Sequence, residues 1–195
     1  MDYYALREFC YAKPFADTLV ENSHFRSWVL KKTKVFAKYA DLAPKLLHKE
    51  MMEQRVKCGS SCKFWWRSHY RKCDCDGCRG GKETDVLAIF ETASELCFAL
   101  HVEVKQPTDG FKTKKVIDQA AAYKRRANSW IAKTPRCVLP HQEATTALLF
   151  TEAKRQEYGA HLEKFDGKIT YEKIKKAFPD WTPLSEEEAI LLLSG

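Results

Sequence analysis

At 195 residues, with 45% hydrophobic side chains, the chain is one domain long enough to bury a core without disulfide or metal staples. Its net charge of +7 suits a polyanionic partner, and no apolar run reaches the roughly 18 residues needed to span a membrane. Met1-Asp2-Tyr3-Tyr4 has neither the basic start nor the apolar run of a secretion signal, so a cytoplasmic, reducing compartment is expected.

Taken in chain order, the first expected helix covers 17–32, with Phe25, Trp28 and Val29 on one face. Thr18 and Glu21 fit a capping box. A second helix is expected over 34–54, with Phe36, Ala40, Ala43, Leu47 and Met51 in step. Lys63 to Lys72 alternates basic and aromatic residues, among them Arg67 and Arg71. It reads as a strand whose rings enter the core, whose exposed groups stack on bases and contact phosphate, or both.

Five cysteines crowd the next stretch: Cys58, Cys62, Cys73, Cys75 and Cys78. Thiols two to four residues apart read as a metal knuckle, since each short loop can close around one ion. Four of the five holding Zn²⁺ is the first reading and an iron–sulfur cluster the second. Disulfides come third, because the expected compartment is reducing. Cys10, Cys97 and Cys137 lie in apolar contexts and read as buried.

Val86 to Phe90 and Cys97 to Val104 are short, rich in β-formers and separated by a polar turn, so they read as a hairpin. Residues i and i+2 of a strand share a face, so Glu103 and Lys105 project together. The returning strand brings Asp85 near Glu103. Two neighbouring carboxylates repel unless a cation lies between them, and Mg²⁺ or Mn²⁺ favours such hard oxygen donors. The Val104 carbonyl could add a further oxygen. Lys105 would activate or orient water, or offset charge on a phosphate.

A helix follows over Lys112 to Lys133, ended by Pro135. Gln119 and Tyr123, at i and i+4, share a face suited to positioning water and a phosphate. Lys112, Lys114, Lys115, Lys124, Arg125 and Arg126 make this helix strongly basic, as a nucleic-acid partner requires. Short strands are expected at Arg136–Pro140 and Thr145–Thr151, then a helix over Tyr171–Phe178. Ser185 to Glu188 forms a capping box that opens a last helix.

The order of Asp85, Glu103-x-Lys105 and Gln119-x-x-x-Tyr123 on strand, strand and helix resembles the PD-(D/E)xK nuclease superfamily, and more closely its RecB-like branch. The resemblance covers about residues 44–126. It implies an α/β, restriction-endonuclease-like αβββαβ core, with a mixed central sheet flanked by helices and here a Cys-rich insertion. The core would span about 17–151, the insertion 58–78, and a helical appendage 152–195. The resemblance also implies a metal-dependent nuclease acting on DNA. RecB-like nucleases place a metal-binding His on a helix before the strands, and His48 stands in a loosely matching segment. The family's earlier Gly is missing, and Glu50 and Glu21 are alternatives for that ligand. The rival reading is a non-catalytic, zinc-containing nucleic-acid-binding module on the same fold.

Overall fold

A computed structural model describes residues 3–60, 63–70, 82–109 and 114–194, with backbone alone at 3–5, 68–70, 82–83 and 114–119. Cys62, Arg71, Cys73, Cys75, Cys78 and Lys112 lie outside the described residues. The chain opens with α1 (Tyr3–Glu21) and α2 (Ser23–Lys31), then a 3₁₀ turn (Ala37–Leu42). Next come β1 (Lys45–Leu46), α3 (His48–Lys57), β2 (Ser68–Tyr70), β3 (Lys82–Thr84), β4 (Val86–Glu91) and β5 (Cys97–Val104). After these stand α4 (Lys114–Ala132), β6 (Glu143–Phe150), α5 (Arg155–Leu162), β7 (Gly167–Thr170), α6 (Tyr171–Ala177) and α7 (Glu186–Ser194).

The architecture is α/β. A five-stranded mixed sheet has the order β1-β4-β5-β6-β7, and β2 and β3 pair separately. The expected hairpin is present, with β4 and β5 antiparallel and Val86 opposite Val102. Strands β5, β6 and β7 run parallel. Central β5 is therefore hydrogen-bonded on both edges, and its burial is almost continuous, as a strand covered on both faces requires.

Alternation along β4 and β5 divides the core. Val86, Ala88, Phe90, Phe98, Leu100, Val102 and Val104 face a large cluster that includes Phe9, Phe15 and Leu19 of α1 and Phe25 and Val29 of α2. Leu87, Ile89 and Ala99 face the other way, onto Met51 of α3 and Trp130 of α4. The aromatics after the first cysteines belong to the first cluster. Phe9 meets Phe64 at 5.0 Å and Trp66 at 5.8 Å between ring centroids. Trp66 is buried, so this ring of the segment enters the core, while Phe64 and Trp65 are half-buried.

Several boundaries differ from expectation. The first helix is two, because Asn22 caps α2 by accepting the Phe25 N–H at 2.9 Å. Thr18 does not join a capping box; its hydroxyl donates to the Pro14 carbonyl at 2.7 Å. The helix expected over 34–54 is broken by Ala43, at φ 46°, and by Pro44 behind it. Arg136–Pro140 forms turns, not a strand, because Pro135 and Pro140 frame it. The Ser185 capping box is present: Glu188 N–H donates to Ser185 Oγ at 3.2 Å, and Ser185 N–H to Glu188 Oε2 at 2.7 Å.

Strand β7 was not foreseen, and it depends on Gly167. A Cβ there would lie 2.9 Å from Ala147 Cβ and 3.0 Å from Thr33 Cγ2. Gly167→Ala should therefore destabilise the protein by about 1–3 kcal/mol, the usual penalty for overpacking. Urea unfolding reads this directly, and an unchanged midpoint would mean that β7 is less tightly seated.

Candidate active site

The β4–β5 pairing ends at Val86 opposite Val102, and Asp85 and Glu103 are the next residue along each strand, so the two acids come together at the end of the hairpin. Val104 N–H donates to Asp85 Oδ2 at 2.7 Å, so the backbone of one strand fixes the carboxylate of the other. Asp85, Glu103 and Lys105 are all buried, at 8%, 2% and 6% exposure. Lys105 Nζ forms an ion pair with Glu103 Oε1. The Lys105 backbone is held as well: its N–H donates to the Leu149 carbonyl at 2.8 Å, and its carbonyl accepts from the Tyr171 hydroxyl at 2.9 Å.

Burial pushes the Asp85 carboxyl well above its ordinary value, and the charges of Glu103 and Glu8 add to the push. Lys105 and the Val104 N–H oppose it without cancelling it. Burial disfavours the Lys105 ammonium, but Glu103, Asp85 and the bond to Glu103 outweigh burial and keep it firmly charged. The local arrangement is thus acid-rich, with Lys105 as its close cation.

Helix α4 supplies Tyr123 and Arg126. The fully buried Tyr123 hydroxyl accepts the Asp85 N–H at 3.3 Å and also bonds to Glu103. Burial, then the charges of Asp85 and Glu103, hold this phenol well above its usual pKa and therefore protonated. Arg126 lies behind it, with its guanidinium carbon 4.7 Å from the Tyr123 ring centroid. Arg126 Nη1 donates to Thr84 Oγ1 at 2.7 Å, and that hydroxyl stands 3.5 Å from His101 Nδ1.

Asp85, Glu103, Lys105 and Tyr123 are therefore brought together. Gln119 lies on α4 one turn before Tyr123; only its backbone is described. The same holds for Lys114 and Lys115 in the first turns of α4. Lys124, Arg125 and Lys63 are exposed, and Arg67 is half-buried. Arg126 corrects the expected basic face: it is 1% exposed and braces Tyr123, so it does not present charge to a surface partner.

Among the described residues, the contacts of His48, Glu50 and Glu21 do not include Asp85 or Glu103. Leu47 N–H bonds to the Ile89 carbonyl, which starts α3 near the opposite end of β4 from Asp85. His48 there turns Nδ1 to the Leu46 carbonyl at 3.4 Å and its ring to Trp65. Glu50 pairs with Lys45 at 2.5 Å, and Glu21 ends α1. The acid that acts on the site is Glu8 of α1, whose charge falls on both Asp85 and Lys105. Sequence reading started the first helix at residue 17 and so missed it. Apolar Leu6, Phe9, Phe15 and Ala16 at helical spacing were the available signal.

Among the described residues, no three or more His, Cys, Asp or Glu side chains are gathered into a group able to hold a metal ion. Of the cysteine cluster, Cys58 alone is described; its thiol donates to the Arg136 carbonyl at 3.3 Å. Cys137 is a half-buried free thiol hydrogen-bonded to Cys58, and burial followed by that hydrogen bond pushes it up to about 11. It was read only as a buried residue. Cys10 is buried as expected, and Cys97 only partly so.

The raised Asp85 carboxyl has a signed consequence. Its folded pKa exceeds the unfolded one, so its contribution to stability is fully present below about pH 4 and is lost as pH rises through the folded value. In EDTA, Asp85→Asn should melt higher than wild type at pH 8, by about 3 °C or more, with the gap closing towards pH 4. Identical pH–stability curves for the two proteins would refute a desolvated Asp85 charge. Compared with family models, curated proteins and solved structures, the chain matches none significantly.

Proposed function

We propose that the protein is a Mg²⁺- or Mn²⁺-dependent nuclease of the PD-(D/E)xK type, RecB-like in its motif order, acting on DNA. One observation carries the reading: two buried carboxylates, Asp85 and Glu103, come together at a strand end beside Lys105 and Tyr123. The donor set suits a hard divalent ion, and the upward push on Asp85 marks a place where positive charge is in deficit. Asp85 and Glu103 would hold the ion, with the Val104 carbonyl as a further oxygen donor. The ion would polarise a phosphate oxygen and acidify bound water.

The chain's own groups have distinct tasks under this reading. Lys105, kept charged by its two acid neighbours, offsets negative charge developing on the phosphate or orients water. Tyr123, kept protonated, has a single O–H, which bonds Glu103 here and would turn from it to reach a phosphate oxygen. Arg126, anchored on Thr84, supports the Tyr123 ring from behind. Exposed Lys124 and Arg125 draw the polyanion, and Gln119 positions water from the preceding turn of α4. The α/β sheet agrees with the coarse architecture of a restriction-endonuclease-like core, and a cytoplasmic location goes with the reading.

The test is cleavage of plasmid, linear duplex and single-stranded DNA in Mg²⁺, Mn²⁺ or EDTA. Wild type should cleave only with a divalent ion, and Lys105→Ala should lose the activity. Glu103→Gln should lose at least about 100-fold in rate while still binding DNA. DNA bound but never cut would move the reading to a non-catalytic binding module.

The cysteine-rich segment keeps its reading as a structural zinc knuckle, with iron–sulfur as the alternative. Metal analysis of purified protein should find close to one zinc per chain or an iron chromophore. Stably folded, colourless, metal-free protein would exclude both.

A further inference from the structure

A cavity of about 320 Å³ lies between α4, the start of β6, the α5–β7 loop and the turn after α2. Its wall includes four lysines, Lys34, Lys124, Lys164 and Lys168, against Glu163 and Asp166. The acids have specific partners. Glu163 pairs with Lys168 at 3.2 Å. Asp166 Oδ2 accepts from Val35 N–H at 3.0 Å and from Thr145 Oγ1 at 3.2 Å, which ties the post-α2 turn to β6. Lys34, Lys124 and Lys164 are exposed and have no ion-pair partner among the described residues.

Three lysines from three separate chain segments thus line one concavity. Repulsion favours swinging such side chains apart, and an anion seated among them reverses that preference. Next to the cavity, β7 is tightly seated, because a Cβ at Gly167 would crowd Ala147 and Thr33. The size is at the lower end of small-ligand sites, enough for one or two phosphate groups. The cavity also adjoins the acidic pair through a ring contact. Phe165 lines it and meets the Tyr123 ring at 5.9 Å, while the Tyr123 hydroxyl touches Asp85.

From this we infer that the lysine-lined cavity is a phosphate-binding site, separate from the acidic pair, which takes either a backbone phosphate of a nucleic-acid strand or a free phosphate compound. For a strand, the inference rests on the nuclease reading and adds a second anchoring point across Tyr123 and Phe165. For a free compound it stands alone.

The variant is Lys34→Gln/Lys164→Gln in the full chain, which leaves Lys124 to its role on α4, with its melting curve compared to wild type. Two probes are used in EDTA: a fluorescent single-stranded 12-mer read by anisotropy across salt concentrations, and sodium pyrophosphate read by calorimetry. If the site holds a strand phosphate, the variant should bind the 12-mer at least about tenfold more weakly. Its slope of log affinity on log salt should fall by about 1–2, at roughly 0.7 for each single-strand phosphate contact. If the site holds a free phosphate compound, wild type should bind pyrophosphate, the variant should not, and 12-mer affinity should stay level. A folded variant that matches wild type with both probes overturns the inference.

The two proposals fail separately. Wild type that cuts DNA in Mg²⁺ or Mn²⁺, with a variant unchanged in both binding probes, removes the phosphate site and keeps the nuclease. Pyrophosphate binding that needs the lysines, in a protein that never cuts DNA, does the reverse.

Discussion

Everything near the acidic pair depends on one register. Opposing Val86 to Val102 brings Asp85 and Glu103 together, and the Val104 N–H locks the Asp85 carboxylate there. A slip of one residue would put Asp85 opposite Val102 or Val104 and part it from Glu103. The register is set by two apolar faces at once, because each strand buries alternate residues into a different cluster. The large core thus defines the site, although none of its side chains takes part in chemistry.

Burying two carboxylates and an ammonium is costly, and one ion pair rarely repays the desolvation. The fold concentrates that cost at the end of a strand held on both edges. Lys105 is braced through its N–H by β6 and through its carbonyl by Tyr171, so its ammonium is presented by fixed backbone. Tyr123 is likewise fixed, by Arg126 behind and by Asp85 and Glu103 in front. Side chains on braced secondary structure hold their positions better than side chains on loops, and this cluster has that construction.

The hairpin, the α4 helix and the closing capping box were legible in the sequence because short-range pattern determines each of them. Alternation fixed the strand faces, and the i, i+4 spacing put Gln119 and Tyr123 on one face of the helix. Three features were hidden for definite reasons. The Asn22 cap divides an apolar pattern that runs through it without a break, so two helices looked like one. Strand β7 has only four residues, and its pairing depends on the packing room at Gly167, which no local pattern encodes. Glu8 acts through space from a helix 77 positions ahead of Asp85, and only tertiary structure brings the two charges together.

The run Tyr123-Lys124-Arg125-Arg126 shows how a helix separates roles that composition merges. Each residue turns about 100° from the last, so a fourfold run covers nearly the whole circumference. Tyr123 and Arg126, three apart, share the buried face, and the guanidinium of Arg126 supports the phenol ring and Thr84. Lys124 and Arg125 are left on the outside, where charge can meet a polyanion. Charge counting alone assigns three cations to binding, whereas helical geometry assigns two to the surface and one to holding the site. Lys124, beside Tyr123 in sequence yet lining the lysine cavity, is the point where the buried acidic pair and the outer basic wall are joined by a single turn of helix.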